Sequence, residues 1–208
     1  TGKVLWTYTY PQKRDPNLYE GGPNTTPTVD GTRLYTMSRD GLILCLDATS
    51  GDLLWKASAK DVGAKAPSWG FSGAPTIVGN SVLLNVGSAG LALNKTTGKK
   101  IWDSKAGPAG YGPIIPYKHK GKALGMLVSG TDVVSLELGS GKKRWSLPFK
   151  VSYKVNAAAP LIFGNRVFIS GGYGKGGGVY DFSSGKGEEL WFSRDLKTQF
   201  STAIILNE

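Results

Sequence analysis

Short apolar stretches recur along the chain and alternate with clusters of glycine, asparagine and aspartate. The stretches 33–37, 81–86, 123–128 and 166–170 are only five or six residues long, which is short for a helix and ordinary for a strand. They are rich in Val, Leu, Ile and Phe, and glycine-containing turns follow each of them. The pattern therefore predicts an all-β protein built from short antiparallel strands.

Five of the six tryptophans end a repeated segment in which a glycine stands four residues before the tryptophan. The segments are 2–6, 51–55, 98–102, 141–145 and 187–191, so that the tryptophans are 49, 47, 43 and 46 residues apart. A period of this length is typical of β-propeller blades. We expect four complete four-stranded blades at about 24–59, 72–106, 111–149 and 156–195, and partial blades at 1–10 and 200–208.

Each full repeat has the same internal order. A proline-containing segment predicts the inner strand, at 26–29, 74–78, 113–117 and 160–163, and two further strands follow it. A hairpin turn then leads into the fourth strand, which carries the tryptophan. These turns begin with Asp47, Asn94, Glu137 and Asp181 and contain a glycine, which suits their backbone hydrogen bonding and positive φ.

The segment 46–55, Leu-Asp-Ala-Thr-Ser-Gly-Asp-Leu-Leu-Trp, resembles the repeat of pyrroloquinoline-quinone (PQQ)-type β-propellers. The strings at 25–31, 34–37, 69–72 and 165–176 are similar to those of bacterial PQQ-like repeat proteins related to the propeller lipoprotein of outer-membrane assembly. The resemblance implies that Trp55, Trp102, Trp145 and Trp191 pack between adjacent blades. Since such rings usually have seven or eight blades, we expect this chain to belong to a longer protein of roughly 315 to 360 residues. The remaining blades, or a second copy, would cover its open edges.

The resemblance also raises the question of quinone-dependent oxidation. The dehydrogenases of the family hold PQQ against calcium and use a cysteine pair or a histidine base, whereas this chain has one cysteine, Cys45, and one histidine, His119, in a turn on the opposite face. We therefore expect no cofactor and no enzymatic activity from these residues. The alternative is a PQQ-dependent alcohol or sugar oxidoreductase whose quinone and calcium ligands lie in blades outside this chain.

Loops on one face of the predicted propeller carry aromatic and cationic residues. The candidate ligand-binding residues are Arg39, Trp69, Tyr153, Lys154, Tyr173 and Lys175. Further members of the set are Tyr10, Arg14, Tyr19, Lys65, Phe71, Tyr111 and Asn156. Such a surface suits sugars, extended peptides or anionic small molecules, although loop residues of this kind are also common as plain solvent-exposed positions.

The net charge of +10 is concentrated in residues 95–154, which hold 12 Lys and Arg against 3 Asp and Glu. Most of these cations fall in turns of the opposite face, so a protein or anionic polymer partner is the expected kind of ligand there. Nucleic acid is less favoured because no aromatic residues are interleaved with the lysines.

The sequence favours a non-catalytic scaffold that binds proteins or envelope polymers, in the periplasm or at the cell surface. If this is correct, replacing Trp69 or Tyr173 by alanine should weaken a natural ligand more than replacing Lys142.

Overall fold

A computed structural model describes residues 2–12, 22–104 and 106–206, in which sixteen strands form four separate sheets. The first sheet comprises β1 (Thr28–Asp30), β2 (Arg33–Met37), β3 (Leu42–Asp47) and β4 (Leu53–Ser58), and the second comprises β5 (Thr76–Val78), β6 (Ser81–Leu84), β7 (Leu91–Asn94) and β8 (Lys100–Asp103). The third comprises β9 (Ile115–His119), β10 (Lys122–Val128), β11 (Asp132–Glu137) and β12 (Lys143–Pro148), and the fourth comprises β13 (Leu161–Phe163), β14 (Arg166–Gly171), β15 (Gly176–Asp181) and β16 (Glu188–Ser193).

Every sheet is an antiparallel meander in which sequence neighbours are also spatial neighbours. This arrangement confirms the all-β, four-bladed prediction. The four sheets do not close into a ring among the described residues, and no strand is assigned within 2–12 or 196–206, where partial blades are predicted. The only helical segments in the described ranges are two short 3-10 turns, Ala59–Val62 and Ser152–Lys154.

The inner strands begin later than the sequence predicts. Pairing starts at Thr28, Thr76, Ile115 and Leu161, in each case beyond the proline that the prediction included at or near the strand start. Proline has no backbone N–H to donate to a ladder, so these residues precede the paired segment.

The hydrophobic core lies between the sheets. One buried cluster combines Tyr35 and Cys45 of the first sheet with Val82 and Leu93 of the second, and two similar clusters join the second sheet to the third and the third to the fourth. The Cys45 thiol is fully buried, and this burial raises its pKa. Each blade therefore buries its apolar faces against its neighbours.

Hydrogen bonds between side chains and backbone also join the blades. The Thr28 hydroxyl donates to the Pro75 carbonyl at 2.6 Å, and the Thr76 hydroxyl donates to the Ile114 carbonyl at 2.8 Å. These two bonds link β1 and β5 with the segment just before the next inner strand, and they join the first sheet to the second and the second to the third.

Tryptophan residues meet the hairpin turn of the following blade. The indole N–H of Trp6 donates to the Ala48 carbonyl at 3.0 Å, and the equivalent bonds are Trp55 to Lys95 at 3.0 Å and Trp102 to Leu138 at 2.7 Å. The hairpin glycine lies against the same indole ring in all three cases. Trp55, Trp102 and Trp145 are buried, whereas Trp191 on β16 is 50% exposed because no described sheet covers it.

Candidate functional site

A cavity of about 320 Å³ lies where loops from all four sheets converge, and we call it the mouth. Its lining residues precede the inner strands or connect neighbouring strands: Asn24, Trp69, Ser72, Tyr111, Val155, Ala157, Tyr173 and Phe200. The lining is mainly aromatic and aliphatic, with a few uncharged polar groups. A concave apolar surface of this kind is typical of a ligand-binding site.

The loop that carries Trp69 is held from both sides. The Asn24 amide donates to the Trp69 carbonyl at 2.7 Å, and the Trp69 N–H donates to the Tyr111 hydroxyl at 3.4 Å. The Ser72 hydroxyl adds a bond to the Tyr111 carbonyl at 3.1 Å. Residues of three blades thus position Trp69, whose side chain remains 38% exposed.

Tyr111 forms the floor of the mouth. Its side chain is buried, and burial raises the pKa of its phenol, while the hydrogen bond from the Trp69 N–H acts in the opposite direction. The phenol therefore stays protonated at neutral pH and keeps its O–H as a donor beside the aromatic lining.

Tyr153 and Tyr173 come together at the rim. Their rings meet edge to face with centroids 5.4 Å apart, and they are 77% and 45% exposed. Tyr153, Lys154 and Tyr173 have φ values of 59°, 59° and 53°, in the left-handed region that bulky residues rarely adopt. Strained backbone of this kind is concentrated at functional sites in proteins, which makes these loops candidates for ligand contact.

The three predicted cations do not line the mouth. Arg39 is only 6% exposed, and Gly70 lies directly against its backbone and Cβ. The Lys175 ammonium lies over the rings of Phe149 and Phe192, at 4.8 and 5.5 Å from their centroids. Lys154 instead lines an adjacent groove of about 450 Å³ together with Lys65, Tyr111 and Tyr153. Thus the structure brings Trp69, Tyr111 and Tyr173 together in the mouth and places Lys154 with two tyrosines in the adjacent groove, while Arg39 and Lys175 lie in neither cavity.

Other residues predicted for this face are buried or hydrogen-bonded within the fold. Phe71 is buried in the core, and the Asn156 amide donates to the carbonyls of Ser129 and Phe149 at 2.8 and 3.1 Å. Tyr10 is half-buried, and burial raises its pKa. The predicted residues Arg14 and Tyr19 lie outside the described residues.

Sequence reasoning missed Asn24, Ser72, Val155, Ala157 and Phe200 as lining residues. The available signal was position, because the first four stand within six residues before an inner strand, where chains enter the centre of a propeller. Residue type alone gave no reason to select them.

The donor set at the mouth does not fit calcium. This cation takes six to eight oxygen ligands that normally include carboxylates, and the described lining residues include no Asp or Glu. Within the described ranges there is also no cluster of three His, Cys, Asp or Glu side chains able to hold a metal ion. The described part of the mouth is thus an aromatic surface without groups suited to hold a quinone–calcium pair.

The repeats, the four meandering sheets and the central mouth define a PQQ-like β-propeller repeat protein. The profile of the family described as outer membrane protein assembly factor BamB matches residues 1–207, and the chain belongs to this family.

Two quinoprotein dehydrogenases and a solved BamB structure are among the proteins to which the chain is similar. The chain is 27% identical over 134 residues to quinohemoprotein alcohol dehydrogenase ADH IIB of Pseudomonas putida, covering 57% of this chain and 18% of that protein. It is 30% identical over 115 residues to quinoprotein ethanol dehydrogenase of Pseudomonas aeruginosa, covering 49% of this chain and 18% of the relative. The crystal structure of BamB from Moraxella catarrhalis superposes with a TM-score of 0.58 at 14% identity, covering 86% of this chain and 67% of that one.

These matches cover only part of each relative's length. The chain spans about a fifth of the length of the two dehydrogenases, and the similarity to the BamB structure shows the fold alone. No helix in the described part of the chain is long and apolar enough to cross a bilayer.

Proposed function

We propose that the protein is a non-catalytic propeller scaffold of the bacterial envelope, located in the periplasm or at the cell surface, and that it binds a segment of a partner protein at the mouth. The observation that carries the proposal is that Trp69, Tyr111 and Tyr173 line one cavity whose described lining residues include no carboxylate. Aromatic side chains provide large contact areas at low entropic cost and are enriched at protein-binding sites.

A protein partner suits this surface better than an anionic polymer. Cations would be needed to attract such a polymer, and Arg39 and Lys175 are occupied away from the mouth. The exposed tyrosines at the rim and the Tyr111 hydroxyl instead offer stacking surface and a hydrogen-bond donor for an extended peptide. The description of the matching family, an assembly factor for outer membrane proteins, supports the same class of partner.

Site-specific photo-cross-linking tests the proposal. A photo-reactive phenylalanine at position 173 should form discrete cross-links to one protein of a bacterial envelope extract, and the same residue at Lys142 on the opposite face should not. Trp69→Ala should reduce the position-173 product about tenfold, since loss of an aromatic anchor commonly costs more than 1 kcal/mol. Equal cross-linking from both positions, or a product insensitive to Trp69→Ala, would refute binding at the mouth.

The second candidate function is PQQ-dependent oxidation of an alcohol or a sugar, which the identity to two quinoprotein dehydrogenases favours. Bound PQQ would supply the two-electron oxidation, and its calcium ligands would have to come from residues other than the described mouth. Titration of the protein with PQQ and calcium, followed by absorbance, separates the candidates. A saturable, calcium-dependent spectral change together with dye-linked oxidation of ethanol or glucose would replace the scaffold proposal by this one.

A further inference from the structure

The junction between the third and fourth sheets differs from the other described junctions. The hairpin glycines Gly51, Gly98 and Gly141 lie so close to the preceding tryptophan that an added Cβ would come within 2.5 to 2.7 Å of its ring. The equivalent Gly185 has no such neighbour, because a Cβ added there would meet no heavy atom within 4 Å. Gly185 therefore does not cover Trp145, and Gly187 lies against Leu147 and the edge of the Trp145 ring instead, since a Cβ added there would come within 2.3 Å of Leu147 Cδ2 and 3.3 Å of Trp145 Cζ3.

Two additional residues in the fourth hairpin account for the difference. The hairpin glycine stands four positions before the next tryptophan in the first three sheets, whereas Gly185 stands six positions before Trp191 and Gly187 takes the position four before it. The Gly185 N–H donates to the Phe182 carbonyl at 2.9 Å, while Gly51, Gly98 and Gly141 donate to the residue four positions earlier. The Phe182 carbonyl stands where Ala48, Lys95 and Leu138 accept an indole N–H in the other junctions.

The Trp145 N–H consequently lacks an acceptor among the described residues. Two polar side-chain atoms in the described part of the chain are fully buried without a partner, Arg33 Nε and Asn156 Oδ1. The Trp145 nitrogen is not one of them, so it retains access to solvent. The Phe182 ring stacks on the indole at a centroid distance of 6.1 Å and holds it in place.

A cavity of about 250 Å³ opens beside this indole, and we call it the junction pocket. Its lining residues are Tyr117, His119, Lys120, Lys122, Leu124, Arg144, Trp145, Ser184 and Gly185. With each water filling about 30 Å³ of liquid, a space of this size holds several waters or one phosphate-sized group with part of its substituent.

The charge of the junction pocket is positive. Lys120, Lys122 and Arg144 line it, and the Lys120 ammonium reaches across the junction to the Ser183 carbonyl at 3.0 Å. Two carboxylates are close by, and Arg144 is already paired with one of them, Glu137, so that its guanidinium would be shared between this carboxylate and an anion in the pocket. Glu137 accepts from Ser140 and Arg144, at 3.0 and 3.3 Å, and Asp181 accepts from the Ser183 hydroxyl and N–H.

The backbone is also strained at Lys120, which lines the junction pocket. Lys120 has a φ of 47°, and Gly121 follows with 74°, a pair of positive values that glycine or asparagine normally provides in a hairpin turn. Of the four described non-glycine residues with positive φ, three border the mouth and its groove, and Lys120 is the fourth. A lysine at this position costs stability that a glycine would not, which favours a role for its ammonium group.

We propose that the junction pocket binds a phosphate-type oxyanion, held by the Trp145 indole N–H and by the cations Lys120, Lys122 and Arg144. The indole provides a directional donor, and the cations provide charge-assisted hydrogen bonds. The site is separate from the mouth, since it is built from strand ends and hairpin turns of the opposite face.

NMR titration of the ¹⁵N-labelled protein with inorganic phosphate tests the assignment, at ionic strength held constant with chloride. One indole N–H resonance, identified as Trp145 by its absence in Trp145→Phe, should shift saturably. Lys120→Gly and Lys122→Gln should each raise the Kd about fivefold or more, as expected for loss of a charge-assisted contact. Lys120→Gly relieves the positive φ, so a loss of binding in this variant is not a loss of folding.

Lys99→Gln and Lys142→Gln are matched controls, because they remove exposed lysines from neighbouring hairpins outside the pocket, and their Kd should stay within about twofold of the parent. An absent or non-saturating shift, or equal weakening by the control variants, would overturn the proposal. Sedimentation with vesicles of phosphatidylcholine, with and without phosphatidylglycerol, identifies the source of the anion. Phosphatidylglycerol-dependent binding lost in Lys120→Gly indicates a lipid headgroup, and phosphate binding without vesicle binding indicates a free ion.

Discussion

At the scale of single residues, a tryptophan and a glycine form one packing unit across each regular junction. Trp102 is 7% exposed, its indole N–H donates to Leu138, and Gly141 lies against its ring. The repeat in the sequence predicted the positions of these tryptophans, and the packing role implied for all four of them stays a prediction. It can be tested because Trp191 carries the same motif without a described neighbour.

We expect Trp102→Ala to lower the free energy of unfolding by about 3–5 kcal/mol, because a buried indole leaves a large cavity. Trp191→Ala is the matched control and should cost less than about 1 kcal/mol, since its side chain is half exposed. Chemical denaturation followed by circular dichroism measures both values. Equal losses in the two variants would contradict a junction-specific role for Trp102.

Glycine is required in the regular hairpins for its positive φ and for its close contact with the indole ring. Substitutions can separate these two reasons. Gly98 has a φ of +70° and lies against Trp55, whereas Gly185 has a φ of +87° in open space. Gly185→Ala should cost about 1–2 kcal/mol from the backbone alone, and Gly98→Ala about 2–4 kcal/mol because overpacking against the indole is added. If thermal denaturation gave the same loss for both, contact with the ring would contribute nothing.

At the scale of elements, the hairpin turns depend on the residue that begins them. Asp47 accepts the N–H groups of Thr49 and Ser50 at 2.8 and 2.9 Å, and Asn94 accepts from Thr96 and Thr97 in the same way. The hydrogen bonds from the N–H groups of Ser50 and Thr49 lower the pKa of the Asp47 carboxyl. Ser140 with Arg144, and Ser183 with Arg166, likewise lower the pKa of Glu137 and of Asp181.

Because the folded-state pKa of Asp47 lies below its unfolded value, its contribution is complete above about pH 4 and is lost as the pH falls further. Asp47→Asn keeps the acceptor oxygen, as Asn94 does in the next hairpin, and removes the titration. The variant should be somewhat less stable than the parent at neutral pH, because it lacks the charge-assisted part of these hydrogen bonds, and it should lose less stability between about pH 4 and 2. Urea denaturation across this range is the measurement, and parallel curves for the two proteins would refute the assignment.

The elements were predictable to the degree that local chemistry determines them. The periodic apolar stretches and glycine turns predicted β2 to the residue, and the prolines explain why the inner strands begin late. The fourth hairpin has two glycines, Gly185 and Gly187, and only Gly187 stands four positions before the tryptophan. That Gly185 lies away from Trp145, and that a pocket opens beside the indole, depends on how the fourth hairpin packs on the third sheet, which no local pattern encodes.

At the scale of the whole molecule, the sequence predicted the chemical character of the candidate site better than it predicted which residues line it. The sequence placed aromatic residues and cations on one face, and the structure gathers Trp69, Tyr111 and Tyr173 there. Arg39 is buried because the loop containing Gly70 packs against it. The Lys175 ammonium lies over the rings of Phe149 and Phe192. Long cationic side chains bury their stems wherever apolar surface is offered, so their final position follows from tertiary packing.

The fourth sheet leaves an apolar surface on β16, where Leu190 and Trp191 are 54% and 50% exposed, and the exposed residues Ile204 and Leu206 add apolar area beyond it. In the other three blades the equivalent tryptophans, Trp55, Trp102 and Trp145, are buried, so the 208-residue chain should associate with itself through this surface as its concentration rises. Trp191→Lys should reduce the association by placing a charge on that surface, while Leu54→Lys, at a residue of similar exposure on the first sheet, should not. Sedimentation velocity over a concentration series measures the effect, and association that persists unchanged in Trp191→Lys would show that another surface mediates it.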